Sequence, residues 1–390
     1  MPQSDRRPRV LLVGRMTPRL NARTRRIAES LATECEITVL CERETSIVPE
    51  TTDQVATECP CVAPSRLIGT TLFSAGVNIF HFAGLVRVLQ MNWFGIKEGL
   101  RGRYDVVVCA DAPYSLCGLL LQVLRDCRFV FDSQEIIWGM GDPWYVSQPL
   151  RLLERLILRN CDLWLVPSED RGRLVQQSQG TRKAFVVVLN VPVFGNKLAA
   201  PIVVHEEQSS REARPTVIFQ GSLLYRRGIE SLIEAAADGG FNLILQGPGP
   251  LRQYCEERKR ENITVIPACP NDEAVRWVGK ANLSFIYYED DCLNSRYACS
   301  NKLYVSALAG VPVICNRLPA FQSFADEYGG CAFIESLDPK EIANKVNAVW
   351  ADETRYLELR RRMSLASRSF AAYRPDEVIR AAFRPLFSNT

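Results

Sequence analysis

The sequence predicts an α/β protein made of two doubly wound parallel sheets. Three observations support this fold class. Short apolar runs alternate with helical patterns, the runs are apolar throughout as in strands buried on both faces, and the alternation restarts after a polar stretch. The length of 390 residues agrees with two domains, since single domains average about 150 residues.

Six predicted strands form the first sheet. Helical patterns separate them, and such an order requires crossover connections that place helices on both faces of a parallel sheet. The runs are Arg9–Gly14, Glu36–Cys41, Asp105–Ala110, Phe129–Ser133, Asp162–Ser168 and Phe185–Asn190. The first domain is therefore predicted to be a Rossmann-like unit over residues 1–203.

A polar segment over residues 204–214 is predicted to link the two domains. Five further strands follow it, at Thr216–Gly221, Asn242–Gly247, Ile263–Pro267, Leu283–Tyr288 and Val311–Cys315. They define a second Rossmann-like domain over residues 215–374. The last segment, residues 375–390, opens with a proline and two acids, which is typical of a helix start. We expect this helix to return towards the first domain.

Composition excludes several classes of active site. Two histidines, His81 and His205, are too few for a histidine metal site or a Ser-His-Asp triad to be expected. The 14 cysteines include no CxxC pair, which favours reduced, buried thiols in a cytoplasmic protein. A net charge of +3 is too small to indicate a nucleic-acid partner.

The sequence contains no apolar run long enough to span a bilayer, and its first ten residues are too polar for a signal peptide. The segment Val77–Leu100 has apolar residues at helical spacing and is the candidate for membrane contact. A helix packed on the core is favoured, since only Arg87 and Lys97 would offer positive charge to anionic lipid. The prediction is a cytoplasmic protein, with peripheral attachment to the inner face of the membrane left open.

A cationic loop follows the first strand of the second domain. Phe219–Ala236 runs from the strand end at Gly221 through Arg226 and Arg227 to a helix that begins after Gly228. A guanidinium beside the free N–H groups of a helix N-terminus is suited to clamp a diphosphate. Two solvated arginines on an exposed loop explain the segment equally well, so both interpretations stay open.

A second cation opens another helix of this domain. In Ser300–Asn316, Asn301 and Lys302 stand at the predicted N-terminus, and the helix ends at Gly310. A lysine is unfavourable at this end of the helix dipole unless an anion also binds there. An anion site at Lys302 is therefore favoured over a solvated helix face.

A series of motifs, in order along nearly the whole chain, resembles one known family. The first half contains FDSQE and CDLWLVPSE, and the second half contains GSLLYRRGIESLIEA, LILQGPGP, ITVIPACP and SNKLYVSALAGVPVICNRLPAF. They resemble the GT-B glycosyltransferases of the retaining, family-four-like group. The resemblance implies two Rossmann-like domains facing across a cleft. It also implies sugar transfer from a nucleoside-diphosphate sugar, with retention, without a metal and without a further cofactor.

The resemblance also implies donor-binding residues in the second domain. Arg227 matches the cation that grips the diphosphate, and Lys302 matches the lysine of the group's P-x-K-x-x-E segment. A second basic residue of the group, directly after the strand glycine Gly221, is Ser222 here. Its charge is either missing or supplied by Arg226.

Two positions depart from the family pattern. The glutamate that usually holds the ribose corresponds to Val305, so ribose is expected to meet backbone, Tyr304 or Ser306, or not to be held at all. The active-site histidine corresponds to Gln134, which can orient a hydroxyl of the donor sugar but cannot transfer a proton. Glu135 follows directly and is the second catalytic candidate, with a surface carboxylate as the alternative.

The acceptor is not fixed by the sequence; a glycan, a natural product and a lipid-linked intermediate are all open. Asp111 and Tyr114 follow a predicted strand and are candidate acceptor contacts. An arginine-rich segment could meet an anionic acceptor, although a solvated helix face is favoured there. Its residues are Arg15, Arg19, Arg23 and Arg25.

Three functions remain. A hexosyl- or N-acetylhexosaminyl-type glycosyltransferase is favoured over two alternatives. The first alternative is a catalytically silent GT-B protein that acts as a partner or scaffold. The second is a pseudo-glycosyltransferase that forms a non-glycosidic bond.

Overall fold

The computed structural model describes residues 6–14, 21–42, 66–70, 82–192, 214–269 and 271–388. The chain divides into two compact units. Unit 1 comprises Met1–Leu189 with Arg374–Thr390, and unit 2 comprises Asn190–Tyr373. The predicted linker lies almost wholly outside the described residues, as do Arg15, His81 and His205.

Unit 1 contains a seven-stranded parallel sheet. Its strands are β1 (Arg9–Val13), β2 (Glu36–Glu42), β3 (Arg66–Thr70), β4 (Val106–Ala110), β5 (Arg128–Asp132), β6 (Leu163–Val166) and β7 (Val186–Val187). They are ordered β3-β2-β1-β4-β5-β6-β7, so the strand order reverses between β1 and β4. Ligands of doubly wound sheets bind beside such a reversal, at the carboxyl ends of the strands. The sequence-based list lacks β3, which is short and contains a glycine.

The helices of unit 1 begin with α1 (Ala22–Leu31), α2 (Phe82–Gly102), α3 (Leu116–Arg125), α4 (Trp144–Asn160) and α5 (Glu169–Gln179). Helix α2 covers most of the segment that was a candidate for membrane contact. Val88 and Met91 are buried, whereas Leu85, Leu89 and Trp93 are exposed. The favoured interpretation, a helix packed on the core, is therefore right for one side of α2 only. No helix in the described ranges is long and apolar enough to cross a membrane.

Unit 2 contains a six-stranded parallel sheet in the order β10-β9-β8-β11-β12-β13. Its strands are β8 (Thr216–Gln220), β9 (Asn242–Gln246), β10 (Ile263–Ile266), β11 (Leu283–Ile286), β12 (Val313–Asn316) and β13 (Cys331–Ile334). Its helices are α6 (Ile229–Asp238), α7 (Arg252–Glu256), α8 (Asn271–Val278), α9 (Leu293–Arg296), α10 (Asn301–Leu308), α11 (Pro319–Tyr328), α12 (Pro339–Ala351) and α13 (Glu353–Ala372). Phe219, Phe241 and Phe285 lie in its core.

The last helix, α14 (Pro375–Phe387), packs within unit 1. Ile379 and Phe383 are buried in the same apolar core as Ile27 and Leu31 of α1. The spacing of these apolar residues, three to four apart, places them on one side of the helix. The last helix therefore belongs to the core of unit 1.

The loops that follow β8 and β9 lie in backbone contact. The Gly221 N–H donates to the Gln246 carbonyl at 2.8 Å, and the Leu223 N–H donates to the Pro248 carbonyl at 2.7 Å. Gly247 has a φ of +146°, and a Cβ there would lie 1.9 Å from the Gly221 carbonyl oxygen. A glycine is therefore required where the two strand ends meet, because any side chain would push the β8 loop away.

Candidate functional site

Two cations lie together at the carboxyl end of the unit 2 sheet. The Arg227 Cζ is 3.7 Å from the centroid of the Tyr288 ring, and the Lys302 Nζ is 5.5 Å from the same centroid. The Lys302 Nζ is also 4.5 Å from the centroid of Phe219. These distances are those of cation–π contacts, so the Tyr288 ring holds both cations in place. We call Arg227, Lys302 and Tyr288 the cation cluster.

Gly221 makes room for Lys302. Its φ is +123°, and a Cβ at this position would lie 2.6 Å from the Lys302 Cε. The lysine side chain therefore lies directly over the end of β8. This explains why the strand ends on a glycine, since another residue would displace the side chain.

The electrostatics of the cation cluster favour an anion. Burial, reinforced by the neighbouring Arg227 guanidinium, lowers the pKa of Lys302 to about 7. In the part of the chain that the structure describes, neither Arg227 nor Lys302 forms an ion pair with a carboxylate. An anion bound beside both would favour the charged form of Lys302. The cluster is thus suited to a phosphate-bearing ligand.

The N-terminus of α10 adds hydrogen-bond donors next to this cluster. Ser300 is the N-cap residue, yet its side chain makes no capping hydrogen bond to the helix. Its hydroxyl instead accepts a hydrogen bond from the Tyr288 hydroxyl at 3.2 Å. The backbone N–H groups of the first turn, including that of the exposed Asn301, are therefore not capped by Ser300.

Arg226 is paired with two carboxylates. Its Nε lies 2.6 Å from the Glu289 Oε2, and its guanidinium also forms an ion pair with Asp291. Its side chain is exposed, and its φ is +66°. Arg226 is thus held by the acidic loop after β11. Ser222 is exposed and supplies no charge, so the structure offers Arg227 and Lys302 as the two cations.

Two expected ribose contacts face the core of unit 2 instead. Tyr304 is buried, with its ring 5.1 Å from that of Phe370, and the Ser306 hydroxyl donates to the Ser284 hydroxyl at 2.9 Å. Val305 is buried as well. The expectation that Tyr304 or Ser306 meets ribose is therefore wrong, because their polar atoms are turned inward by the helix.

Gln134 belongs to a hydrogen-bonded network in unit 1. Its Nε2 donates to the Asp132 Oδ2 at 2.8 Å, and its Oε1 accepts from the Asn21 Nδ2 at 2.9 Å. Asp132 in turn pairs with Arg23 at 2.7 Å, and both charged side chains are buried, at 1% and 5% exposure. Arg23 is therefore not on a solvated helix face. The network fixes the orientation of the Gln134 amide.

Asp111 holds the backbone at Gln134 and Glu135. Its Oδ1 accepts the N–H groups of both residues at 2.8 Å each. Glu135 is 47% exposed and pairs with the buried Arg171 at 3.3 Å. Both candidate catalytic residues thus lie in the same turn after β5. Tyr114, by contrast, is buried, so a direct acceptor contact through its side chain is not supported.

The carboxyl of Asp111 predicts a pH dependence of stability. Burial, with Glu135 and Asp132 nearby, raises its pKa from 3.8 to about 8. Between these values the folded state binds one more proton than the unfolded state, so stability falls as the pH rises towards 8. Asp111→Asn keeps an acceptor oxygen but cannot titrate. We expect wild type to lose up to about 1.4 kcal/mol per pH unit relative to this variant.

Unfolding midpoints measured between pH 5 and pH 8 check this prediction. Asp126→Asn is the matched control, because Asp126 also has a positive φ but is exposed. This control should follow the wild-type profile. Parallel profiles for wild type and Asp111→Asn would show that Asp111 does not hold its proton in the folded state.

Sequence comparison finds one family that part of the chain is similar to. Residues 20–191 match the family described as Glycosyl transferase 4-like domain. A comparison with curated proteins gives no match.

Structure comparison identifies the fold of the whole chain. Sucrose-phosphate synthase from Thermosynechococcus elongatus superposes with a TM-score of 0.70 at 15% identity, over 99% of this chain and 100% of that one. HepE from Anabaena, in complex with UDP and glucose, gives 0.66 at 14% identity, over 98% and 100%. A glycosyltransferase from Rickettsia africae gives 0.64 at 11% identity, over 98% and 100%.

The chain thus has the fold of the GT-B glycosyltransferases, as the motifs predicted.

Sequence reasoning missed Tyr288 in unit 2 and two residues beside the Gln134 turn in unit 1. Tyr288 was assigned to a strand only, although two tyrosines at the carboxyl end of β11 could have indicated an aromatic contact. Asn21 caps α1 and Arg171 lies in the first turn of α5, and their contacts to the Gln134 turn are non-local. No spacing in the sequence indicates such contacts.

Proposed function

We propose that the chain is a glycosyltransferase that moves a sugar from a nucleoside-diphosphate sugar to an acceptor. Retention and independence from a metal ion are parts of this proposal. The observation that carries it is the pair of cations on the Tyr288 ring, beside the N-terminus of α10. Arg227, together with Lys302 once it is protonated, supplies positive charge where a divalent ion would otherwise be needed.

The proposed chemistry places this charge on the leaving group. The bond between the anomeric carbon and the phosphate oxygen breaks, and its electron pair goes to that oxygen. The Arg227 fork, the Lys302 ammonium and the α10 N–H groups stabilise the developing charge. The acceptor hydroxyl attacks the face that the leaving group departs from, and its proton passes to the leaving phosphate. Such a reaction needs no histidine, which is consistent with the glutamine, Gln134, at the position of the family's histidine.

Uridine diphosphate sugars are the first donors to try. HepE, which shares the fold, has been solved in complex with UDP and with UDP-glucose. We propose hexosyl or N-acetylhexosaminyl donors. Both kinds of donor carry the diphosphate that the cation cluster is proposed to bind. Gln134 and Glu135 are proposed on the sugar side, and Arg15 and Asp111 on the acceptor side.

Thermal unfolding with a panel of nucleoside diphosphates tests donor binding. A ligand that binds the folded state alone raises its stability by about 2.7 kcal/mol at a hundredfold excess over Kd. We expect one diphosphate to raise the midpoint and its monophosphate to raise it less. Should no diphosphate shift the midpoint at millimolar concentration, the scaffold interpretation would replace this proposal.

Product analysis distinguishes a glycosyltransferase from the remaining alternative, a pseudo-glycosyltransferase. Incubation of the binding nucleotide's sugar conjugate should release free sugar slowly, with the diphosphate as the second product. Binding without any turnover of sugar conjugates would favour a pseudo-glycosyltransferase, whose donor carries a cyclitol or another sugar-like group.

A further inference from the structure

An apolar surface covers the outer side of three consecutive helices of unit 1. Fourteen large hydrophobic side chains are exposed in the described part of the chain, and ten of these lie on α2, α3 and α4. Scattered exposed hydrophobic residues need no explanation, but such a concentration marks an interaction site.

Helix α2 contributes the first row. Leu85, Leu89 and Trp93 are spaced four residues apart and are 53%, 55% and 64% exposed. The residues between them, such as Val88 and Met91, are buried. Helical periodicity therefore separates an inner apolar side from an outer one.

Helix α3 lies directly beside α2. A Cβ on Gly99 of α2 would lie 2.3 Å from the Leu121 Cδ1 of α3, so a glycine permits this close approach. Leu121 is buried, whereas Leu120, Val123 and Leu124 are exposed. The outer row of α3 therefore continues the row of α2.

Helix α4 completes the surface. Tyr145, Leu152 and Leu156 follow helical spacing and are exposed, as is Trp144 at its start. The ends of the three helices are tied together. The Arg125 guanidinium of α3 donates to the Leu100 carbonyl of α2 at 2.6 Å, and Gln122 of α3 donates to the Asn160 carbonyl of α4 at 3.0 Å.

Positive charge gathers at these same helix ends. Lys97 and Arg101 of α2, Arg125 of α3 and Arg159 of α4 are exposed. Asp126 is an exposed carboxylate beside them. A set of cations next to exposed leucine and tryptophan side chains is the composition of a membrane-surface element that binds anionic lipid.

We propose that the outer side of α2, α3 and α4 docks onto an anionic lipid bilayer. The leucine, valine and aromatic side chains enter the boundary between headgroups and acyl chains, and the cations contact lipid phosphates. The positive charge favours this partner over a second copy of the chain, because the clustered cations are complemented by an anionic surface. The sequence suggested two cations near α2, one of them the buried Arg87, and the fold adds those of the neighbouring helices.

Co-sedimentation of the full chain with vesicles tests the proposal. Wild type should bind vesicles of phosphatidylcholine mixed with phosphatidylglycerol and bind pure phosphatidylcholine much less. The triple variant Leu89→Gln, Val123→Gln and Leu152→Gln should bind at least about tenfold more weakly, since it removes apolar side chains that the bilayer would bury. Leu357→Gln with Leu365→Gln is the matched control, because both leucines are exposed on α13 of unit 2.

A charge variant separates electrostatic from apolar binding. Lys97→Gln, Arg101→Gln and Arg159→Gln together should weaken binding to the mixed vesicles about tenfold, and salt should weaken wild type in the same way. The control is Arg355→Gln with Arg368→Gln, two exposed cations of α13.

Light scattering measures the molecular mass and so tests the competing interpretation, in which the surface binds a second copy of the chain. Wild type that fails to bind anionic vesicles would overturn the proposal, and so would an apolar variant that binds them as tightly as its control. A wild-type dimer that becomes monomeric in the apolar variant, with no vesicle binding, would assign the surface to a second copy. Each measurement reads binding or mass, so the outcome is independent of sugar transfer.

Discussion

Lys302→Ala is expected to lower the rate of sugar transfer by about 10²- to 10³-fold, the usual cost of removing one preorganised charge from a transition state. The lysine lies over Gly221 and beside Arg227, where the leaving diphosphate is proposed to bind. Arg227→Ala should have a similar effect. Steady-state rates with the donor identified by thermal unfolding check both variants.

Two control variants show whether the loss is specific. Lys280→Ala removes another lysine that lies over an aromatic ring, 3.8 Å from the Trp277 centroid. Arg226→Ala removes the neighbour of Arg227 that is paired with Glu289. We expect both controls to keep nearly wild-type rates. Wild-type rates of donor turnover in Lys302→Ala and Arg227→Ala would refute their assignment to the leaving group.

The pKa of Lys302 adds a pH dependence to donor binding. Because this pKa is lowered to about 7, the lysine of the free protein is largely neutral above that pH and must take up a proton when the diphosphate binds. Affinity should therefore fall by up to about tenfold per pH unit above pH 7. Calorimetry in buffers of different ionisation enthalpy measures the proton uptake, which should vanish in Lys302→Ala.

Arg23→Met is expected to reduce the free energy of unfolding of unit 1 by about 3–5 kcal/mol. The substitution leaves Asp132 buried without its cation, and the Arg23 Nη1 also donates to the Val188 carbonyl at 2.5 Å. Arg25→Met on the same helix is the matched control. Arg25 pairs with Glu29 at 3.7 Å in a partly exposed setting, so this variant should lose less than about 1 kcal/mol.

Chemical denaturation measures both variants, with the intensity of unit 1 tryptophans as the probe. The double variant Arg23→Met and Asp132→Asn should recover part of the lost stability, since neither residue then carries an unpaired buried charge. Equal losses of unfolding free energy for Arg23→Met and Arg25→Met would show that the buried ion pair contributes no more to stability than the partly exposed one. The Gln134 turn would then be held by its hydrogen bonds to Asn21 and Asp111.

The fold was predictable because its strands are buried on both faces. Runs such as Val106–Ala110 and Val217–Phe219 are apolar throughout, and this pattern needs no long-range information. The strands β13, Cys331–Ile334, and β3 were missed. Each lies at the edge of its sheet, and β3 contains a glycine, which weakens a strand pattern. The positions of Arg227 and Lys302 near strand ends also followed from the sequence.

Side-chain direction could not be predicted. Tyr304 and Ser306 lie one helical turn or less from Lys302, yet packing on Phe370 and Ser284 turns them inward. Arg23 seemed to be one of many surface arginines, and only the fold brings it to Asp132. Such contacts join residues far apart in sequence, so the spacing of residues along the chain does not predict them.

The central claim is that the cation cluster recognises the diphosphate of a donor. The most direct test compares the Kd of a nucleoside diphosphate with that of its monophosphate, in wild type and in the double variant Arg227→Ala and Lys302→Ala. Wild type should prefer the diphosphate by more than about tenfold, as each charged hydrogen bond contributes about 1.5–3 kcal/mol, and the double variant should lose that preference. An unchanged preference in the double variant would contradict the claim.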